Sequence, residues 1–462
     1  MKQTDSNSIQ QSWAVIGSGM LGMTIAHRLQ QQGHAVTVFE SAGNAGGLAD
    51  AWQVGDVTWD RHYHVTLMSD FLVRDLWKEL GIHDQMKWVG TKTGFYTDGE
   101  LYSMSNSVEF LKFPPLRLVD KLRLGGTIWT ASKIKNWKRL EQMSVQEWLT
   151  KLSGRRTFEK MWRPLLEAKL GESWTKTSAA FIWATIARMY AARRSGLKKE
   201  MFGYLQGGYD FALNTFEQSL RSRGIDFQFH CPVTKIERNS DSEVTVVSSA
   251  GCQSFDRVVS TVPSPVAVKS IPAMSAASQE RHLGIDYHGI VCASVLLKKQ
   301  ISPYYVTNIT DRGVPFTAVI EMTALVDPDQ LDGNHLVYLP RYAEPTDAIF
   351  DESDEAIQDR FIDALDRMYP HFNKDDVVAF KVSRAKHVFA LPTLGYSERV
   401  PFVETGVDGV YTVNSSQIVN GTLNVNETVK LGNDFVSAFG AVSPTPAIQD
   451  SRKSSLTDPV LV

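Results

Sequence analysis

The stretch Trp13-Ala-Val-Ile-Gly17-Ser-Gly19-Met-Leu-Gly22, with Ala35-Val-Thr-Val-Phe39-Glu40 behind it, decides how this chain is read. Trp13 to Ile16 is a short apolar run of the kind that forms a buried parallel strand. Leu21, Ile25, Ala26 and Leu29 then recur at helical spacing, Gly33 ends the helix, and Ala35 to Phe39 reads as the next strand. Glu40 closes the unit 18 residues after Gly22. Strand, GxGxxG turn, helix, strand and acid together form a dinucleotide fingerprint. Gly17 permits the tight turn, Gly19 lets a pyrophosphate approach the backbone, and Gly22 lets helix and strand pack closely. Met20 and Leu21 open the helix, whose unpaired N–H groups and positive dipole end suit phosphate. Glu40 can accept hydrogen bonds from ribose hydroxyls.

A second glycine pair follows at once, in Ser41-Ala-Gly-Asn-Ala-Gly46-Gly47-Leu48. At this distance from Glu40 the pair resembles the extended FAD fingerprint of the flavin-containing amine oxidase superfamily, which includes protoporphyrinogen oxidases and phytoene desaturases. The resemblance implies FAD as the cofactor. The family usually continues Gly-Gly-Arg; here Leu48 stands in the Arg position and one phosphate or flavin contact is lost. Three later segments resemble the same superfamily. In Cys231-Pro-Val233-Thr-Lys-Ile236, Val233 inherits a backbone contact to adenine. Phe255 to Pro263 resembles the strand that closes the nucleotide-binding sheet. Gly409 to Ser415 and Gly421 to Val429 resemble the last flavin-binding strand and helix, with Asn414 and Ser415 replacing the usual Gly-Asp. The resemblance carries flavin contacts to Asn414, Ser415, Asn424, Asn426 and Val429; Asn424 and Asn426 also read as plain helix N-caps.

These returns imply an α/β chain with a Rossmann-like FAD-binding domain assembled from residues 1–70, 203–265 and 395–445. Residues 71–202 and 266–394 then form an α+β substrate domain: a helical first excursion and a second one rich in strands, giving a mixed sheet. The first carries helical spacing over 71–80, 116–140, 145–152, 158–170 and 178–192; the second carries strands at 290–297, 316–322 and 335–339 and a helix at 356–368. The tail 446–462 reads as disordered.

Four places can carry chemistry. His62, Tyr63 and His64 follow the diglycine and offer a proton acceptor near neutrality. Gly207-Gly208-Tyr209 opens a helix with room for close approach to flavin or substrate. Glu321 in an apolar run is either a solvent-facing acid or a carboxylate with a partner or a raised pKa, which can serve as a substrate contact or base. Arg384 and His387, with Lys386, can meet an anionic substrate. No third ligand accompanies His62 and His64, so no metal is expected.

The chain has 462 residues and a formal net charge of −3. The segment 121–200 alone carries +12, so the remainder carries −15. A uniformly basic, nucleic-acid-coating protein is excluded, and no nucleic-acid module is present. Three scattered cysteines exclude a disulfide scaffold. Neither a signal peptide nor a membrane-spanning run is visible, so a cytoplasmic protein is expected, with peripheral membrane contact as an extension. Six of the eleven tryptophans lie in 121–200, and Trp137 sits among Lys133, Lys135, Lys138 and Arg139. Tryptophan beside lysine on amphipathic helices suits a membrane interface.

The reading implied is an FAD-dependent oxidoreductase. It moves a hydride from a C–C or C–N bond of a hydrophobic or amphipathic small molecule to flavin N5, with oxygen, a quinone or another acceptor reoxidising the flavin. Two alternatives stay open. One resembles UDP-galactopyranose mutase, a flavin enzyme without net redox, for which Arg163, Arg188 and Arg384 are candidate pyrophosphate ligands. The other is a non-catalytic binding protein on the same fold, like the escort proteins of prenylated partners.

Overall fold

The computed structural model describes residues 10–193, 201–239, 243–419 and 423–441, with side chains to 190 in the first of these segments. The 446–462 tail lies outside the described residues.

The opening βαβ unit builds the centre of a five-stranded parallel sheet. Its order is Asp226–Gln228, Ala35–Phe39, Ser12–Ile16, Arg257–Ser260, Val410–Thr412. Both faces of a parallel sheet are covered, so its strands are near-continuously apolar. Trp13 and Val15 point to one face, into a core with Met23, Ile25, Phe216 and Phe435. Ala14 and Ile16 point to the other, where Phe39, Ile236, Val244 and Phe255 meet them. Helices Met20–Gln31, Gly208–Ser222 and Val425–Phe439 share the first core. A small antiparallel sheet, Val233–Arg238, Val244–Ser248 and Gly251–Phe255, supplies the second. Arg257–Ser260 does not close the sheet, as its resemblance suggested. It lies inside, and Val410–Thr412 takes the edge.

A second, seven-stranded sheet stands apart in sequence. Its order is Val377–Ala390, Tyr287–Leu297, His335–Ala343, Ala318–Glu321, Val306–Ile309, Thr93–Thr97, Glu100–Ser103. Strand Tyr287–Leu297 is buried throughout, and its two-residue period serves two cores. Val291, Ala293, Val295 and Leu297 pack against Phe361 and Leu365 of helix Asp354–Met368. Ile290, Cys292 and Leu296 pack towards Trp59, Leu67 and Tyr204. The inner face of this sheet is thereby pressed against the segments that follow the diglycine.

The first excursion is not purely helical. Met86–Gly90, Thr93–Thr97 and Glu100–Ser103 are strands. The last two form a hairpin whose turn residues Asp98 and Gly99 have φ of 53° and 76°. Asp-Gly is the favoured pair for such a turn, so that signal was present in the sequence. The span expected as one helix over 116–140 divides into Leu118–Ala131 and Lys138–Glu141. The span over 158–170 begins as a π-helical turn, Phe158–Trp162, before Arg163–Leu170. Pro164 has no N–H to donate there, which favours a shift in the hydrogen-bond ladder.

Four of the six clustered tryptophans are core residues. Trp137, Trp148, Trp174 and Trp183 are buried with Leu149, Phe158 and Leu170. Trp137 therefore does not present its indole to a membrane, despite its basic neighbours. Trp129 is the exposed one.

Candidate active site

The two glycine loops pack against each other. Gly17 turns with φ of +101°, and its N–H donates to Phe39 O at 2.8 Å. A Cβ on Gly22 would lie 1.9 Å from Gly17 O, so only glycine lets the helix start this close to the strand. Gly46 N–H donates to Ser18 O at 3.0 Å, and Gly19 and Gly46 form a bridge. Helix Met20–Gln31 has no side-chain cap at its N-terminus. The N–H groups of Met20, Leu21 and Gly22 have no acceptor within the helix, as at any α-helix start. Glu40 holds the loop: one carboxylate oxygen accepts from Ser18 N and Oγ at 2.8 and 3.0 Å, the other from Ala42 N at 2.9 Å. Cys231 N donates to Glu40 O, which brings Val233 and its strand alongside. An uncapped helix start, bare glycine backbone and a carboxylate at the next strand end fit the pyrophosphate and ribose of a dinucleotide.

After these loops the chain forms the hairpin Ala51–Val54 and Val57–Asp60, which packs against the second sheet. His62 is buried. Its Nδ1 lies 3.1 Å from Leu48 O and its Nε2 3.1 Å from Ser383 Oγ. A carbonyl only accepts, so Nδ1 carries the hydrogen and Nε2 accepts from the serine. Burial pulls the His62 pKa down to about 4, so the ring is neutral at pH 7. It is a strut between the diglycine loop and strand Val377–Ala390, where the sequence suggested a proton acceptor. His64 is likewise pulled down to about 3 by burial. It lines a small cavity with Asp60, Tyr204, Gly208 and Tyr209. Burial pushes Asp60 up to about 7, and its Oδ1 accepts from Tyr209 N at 2.7 Å.

That bond explains Gly207-Gly208-Tyr209. Gly207 and Gly208 have φ of +78° and +64°, and a Cβ on Gly208 would lie 2.7 Å from Asp60 Oδ1. The diglycine lets Asp60 reach the helix start, and Tyr209 is buried against His64 and Trp77. The geometry gives these three residues a bracing part, where the sequence suggested substrate contact.

Tyr63 reaches furthest into the second sheet. Its hydroxyl lies 2.8 Å from that of Tyr342, on strand His335–Ala343. The Tyr342 ring packs edge-on against Phe389 at 6.0 Å. Over the Tyr342 ring sits Lys169, its Nζ 3.3 Å from the centroid. Among the described residues Lys169 has no hydrogen-bond or ion-pair partner, and burial pulls its pKa down to about 7. Two bonds fix the end of its helix, Arg163–Leu170: Thr317 Oγ1 donates to Ala168 O at 2.7 Å and His288 Nε2 to Leu170 O at 2.8 Å. Nothing in the local sequence marks Lys169 or Tyr342. Each becomes visible only where separate excursions meet.

Other sequence candidates are held elsewhere. Glu321 is not solvent-facing: it is fully buried, accepts from Ile301 N at 3.2 Å and from Thr323, and burial pushes its pKa up to about 7. Arg384 is spent on the start of helix Asp354–Met368, through Asp354 at 2.6 Å, and on Glu352 O just before it. His387 packs edge-on against Tyr287 at 5.4 Å. Asn414 is buried; its Oδ1 accepts from Ser416 N and Oγ and from Tyr287, and its Nδ2 donates to Val262 O. Its side chain is thus used up bracing the loop, whereas Ser415 beside it is half-exposed. Asn424 caps helix Val425–Phe439 through Glu427 N at 3.1 Å. Asn426 accepts from Leu72 N and Val73 N, capping helix Phe71–Glu79, and Val429 is in the core. The geometry thus gives Asn414, Asn424, Asn426 and Val429 structural contacts within the protein.

Arg61 donates to Asp50 at 2.5 Å, and Asp50 also holds Asn44 of the same loop. No group of three His, Cys, Asp or Glu among the described residues is placed to hold a metal. No helix among them is long and apolar enough to cross a membrane.

The family model described as flavin containing amine oxidoreductase matches residues 21–422. The chain belongs to that family. Membership makes it a flavin oxidoreductase with FAD as cofactor, in keeping with its paired glycine loops. The 15-cis-phytoene desaturase of Synechococcus elongatus is 23% identical over 262 residues, 52% of this chain and 53% of that one. The zeta-carotene desaturase of Synechocystis sp. is 23% identical over 294 residues, 56% and 58%. The chain thus spans a little over half the length of these curated relatives. Among solved structures, an oxidoreductase from Methanosarcina mazei superposes with a TM-score of 0.73 at 17% identity, over 92% of this chain and 100% of that one. At that identity the likeness concerns the fold alone.

Proposed function

We propose that this family member oxidises a hydrophobic or amphipathic small molecule, taking a hydride from a C–H of one carbon while the adjacent carbon gives up a proton, so that their C–C bond becomes C=C. The observation that carries the reading is the aromatic cluster of Tyr63, Tyr342 and Phe389 with the Lys169 amine upon it, unpaired among the described residues. Bound FAD would supply the hydride-accepting N5 atom. The chain's own groups do the rest. The aromatic faces bury an apolar substrate and keep water from it. Lys169, pulled towards neutrality, is poised to take a proton at Nζ or to hold a polar end of the substrate. His62 keeps the diglycine loop and the substrate sheet in fixed relation. The desaturases named above act on phytoene and zeta-carotene, which favours a C–C over a C–N bond. The electron acceptor, whether oxygen or a quinone, is part of the same test.

The mutase alternative asks for free arginines. Arg163 is paired with Glu159 and Glu167, Arg188 with Asp70, and Arg384 with Asp354. Nothing in the geometry favours it.

The deciding experiment is an absorbance spectrum after incubation with FAD, followed by anaerobic titration. A band near ~450 nm is expected from bound flavin. Bleaching by a polyene or another apolar C–H donor supports the proposal. Bleaching only by amines such as putrescine moves the reaction to a C–N bond. A protein that stays colourless with FAD overturns the proposal and leaves the escort-type alternative.

A further inference from the structure

Two neighbouring helices of the first excursion carry a row of large apolar side chains in solvent. Val108 and Leu111 lie on Ser107–Lys112, and Leu118, Val119, Leu122 and Trp129 on Leu118–Ala131. Each is between 50% and 65% exposed. Leu118, Leu122 and Trp129 follow helical spacing along one stripe, with the exposed Gly125 and Gly126 between them. The opposite face is anchored: Leu124 packs with Phe95, Phe113, Leu116 and Met161. Lys121 Nζ donates to Leu111 O at 2.7 Å and ties the two helices together. The outer stripe is therefore held in place. Isolated exposed apolar residues are ordinary, but a contiguous set on adjoining helices marks a docking surface.

Charge identifies the occupant. Along the chain, Lys112 and Arg117 precede the stripe and Lys133, Lys135 and Lys138 follow it, all exposed. None of them forms an ion pair among the described residues. The acids of the same stretch are already engaged. Glu109 accepts from Ser103 and Ser105, and Asp120 is buried and paired with Arg156. The face is thus apolar along its middle and positive at its margins, with a tryptophan near one end. We infer that the helices Ser107–Lys112 and Leu118–Ala131 dock on an anionic lipid surface, burying the Leu118–Leu122–Trp129 stripe at the headgroup boundary. This places the contact on Trp129 and the leucines, away from the buried Trp137.

The test is sedimentation of the FAD-loaded protein with vesicles of equimolar phosphatidylglycerol and phosphatidylcholine. The parent should bind these and should release from them as salt is raised. Leu118→Ser with Leu122→Ser and Trp129→Ser should weaken binding about tenfold or more, since each loses the apolar group that enters the boundary. Lys112, Lys133, Lys135 and Lys138 changed to Ala should cost about fivefold per lysine, and should matter little on phosphatidylcholine alone. Leu283→Ser, at an equally exposed leucine elsewhere, should bind as the parent does. Circular dichroism confirms that each variant is folded. A parent that binds no anionic vesicles overturns the inference. So does a serine variant that binds as well as the parent. A parent that dimerises at sedimentation equilibrium, binds no vesicles and is made monomeric by the serine variant gives the face to a second copy of the chain and also overturns it.

Discussion

The Lys169 Nζ sits 3.3 Å from the centre of the Tyr342 ring, and the Tyr342 hydroxyl lies 2.8 Å from that of Tyr63. A single amine thereby stands at the head of a path that runs through two phenols to the loop behind the diglycine. Burial pulls Lys169 down to about 7 and pushes Tyr63 up to about 12, so the amine is the group on this path that titrates near neutrality.

Lys169→Met should remove the acidic limb of the pH profile. In the parent, the rate of flavin bleaching by substrate should fall as pH drops below about 7 and the amine protonates. The variant should be flat there and slower by about 100-fold, the lower range for loss of a proton acceptor. Stability gives a second readout. Between about 7 and 10.5 the unfolded chain binds a proton that the folded chain does not, so stability rises with pH in that window. The variant should melt above the parent at pH 7, with the gap closing towards pH 10. A parent profile without the acidic limb would remove Lys169 from proton transfer.

Gly22→Ala and Gly19→Ala should part company. The first places a Cβ 1.9 Å from Gly17 O; the second meets nothing closer than Gly46 O at 3.8 Å. Gly22→Ala should lower stability by about 1–3 kcal/mol through overpacking, and lose FAD with it. Gly19→Ala should melt like the parent yet bind FAD more weakly, because its methyl occupies the path of the pyrophosphate. Melting curves and flavin titration check both. Equal melting losses would mean that Gly19 serves packing alone.

His62→Asn should leave the catalytic pH profile unchanged, since His62 with a pKa of about 4 is neutral across the working range. It should change the acid limb of stability. From pH 6.5 down to about 4 the unfolded chain takes up a proton that the folded ring refuses, so stability is lost as pH falls. The loss attributable to His62 is up to about 3 kcal/mol, and the variant's slope should be shallower by that share. An altered catalytic profile would return His62 to proton transfer.

Asp60→Asn should be tolerated or stabilising above pH 7, because the amide oxygen can still accept from Tyr209 N while no buried charge is left. Burial raises the Asp60 pKa from 3.8 to about 7, so the parent loses stability as pH rises through that window. Asp60→Ala should destabilise at every pH, since it removes the acceptor. Thermal melts at pH 5 and pH 8 separate the two variants.

The nucleotide unit was legible because its determinants are local. A turn of one length needs glycine at Gly17 and Gly22, and strand, helix and strand each declare themselves by a period of a few residues. The Asp98-Gly99 hairpin had the same kind of signal and could have been read. Residues 121–200 were legible as a basic and largely helical segment. Which tryptophan faced water was not, because a helix in sequence does not say which of its faces meets another helix.

The amino-acid sequence by itself determined the dinucleotide loops, the FAD reading and the family. Tertiary structure alone brought the candidate site together. Tyr63 and Tyr342 are 279 residues apart in the chain, and Lys169 comes from a third segment. Their contact follows from how the loop after Asp60 and the helix Arg163–Leu170 pack on strand His335–Ala343, a long-range outcome with no short-range periodicity. It also settled which polar candidates were already used. His62, Glu321 and Asn414 look reactive as letters, but burial demands partners for each, and in the folded chain those partners are the protein's own groups; the half-buried Arg384 is likewise paired within the chain.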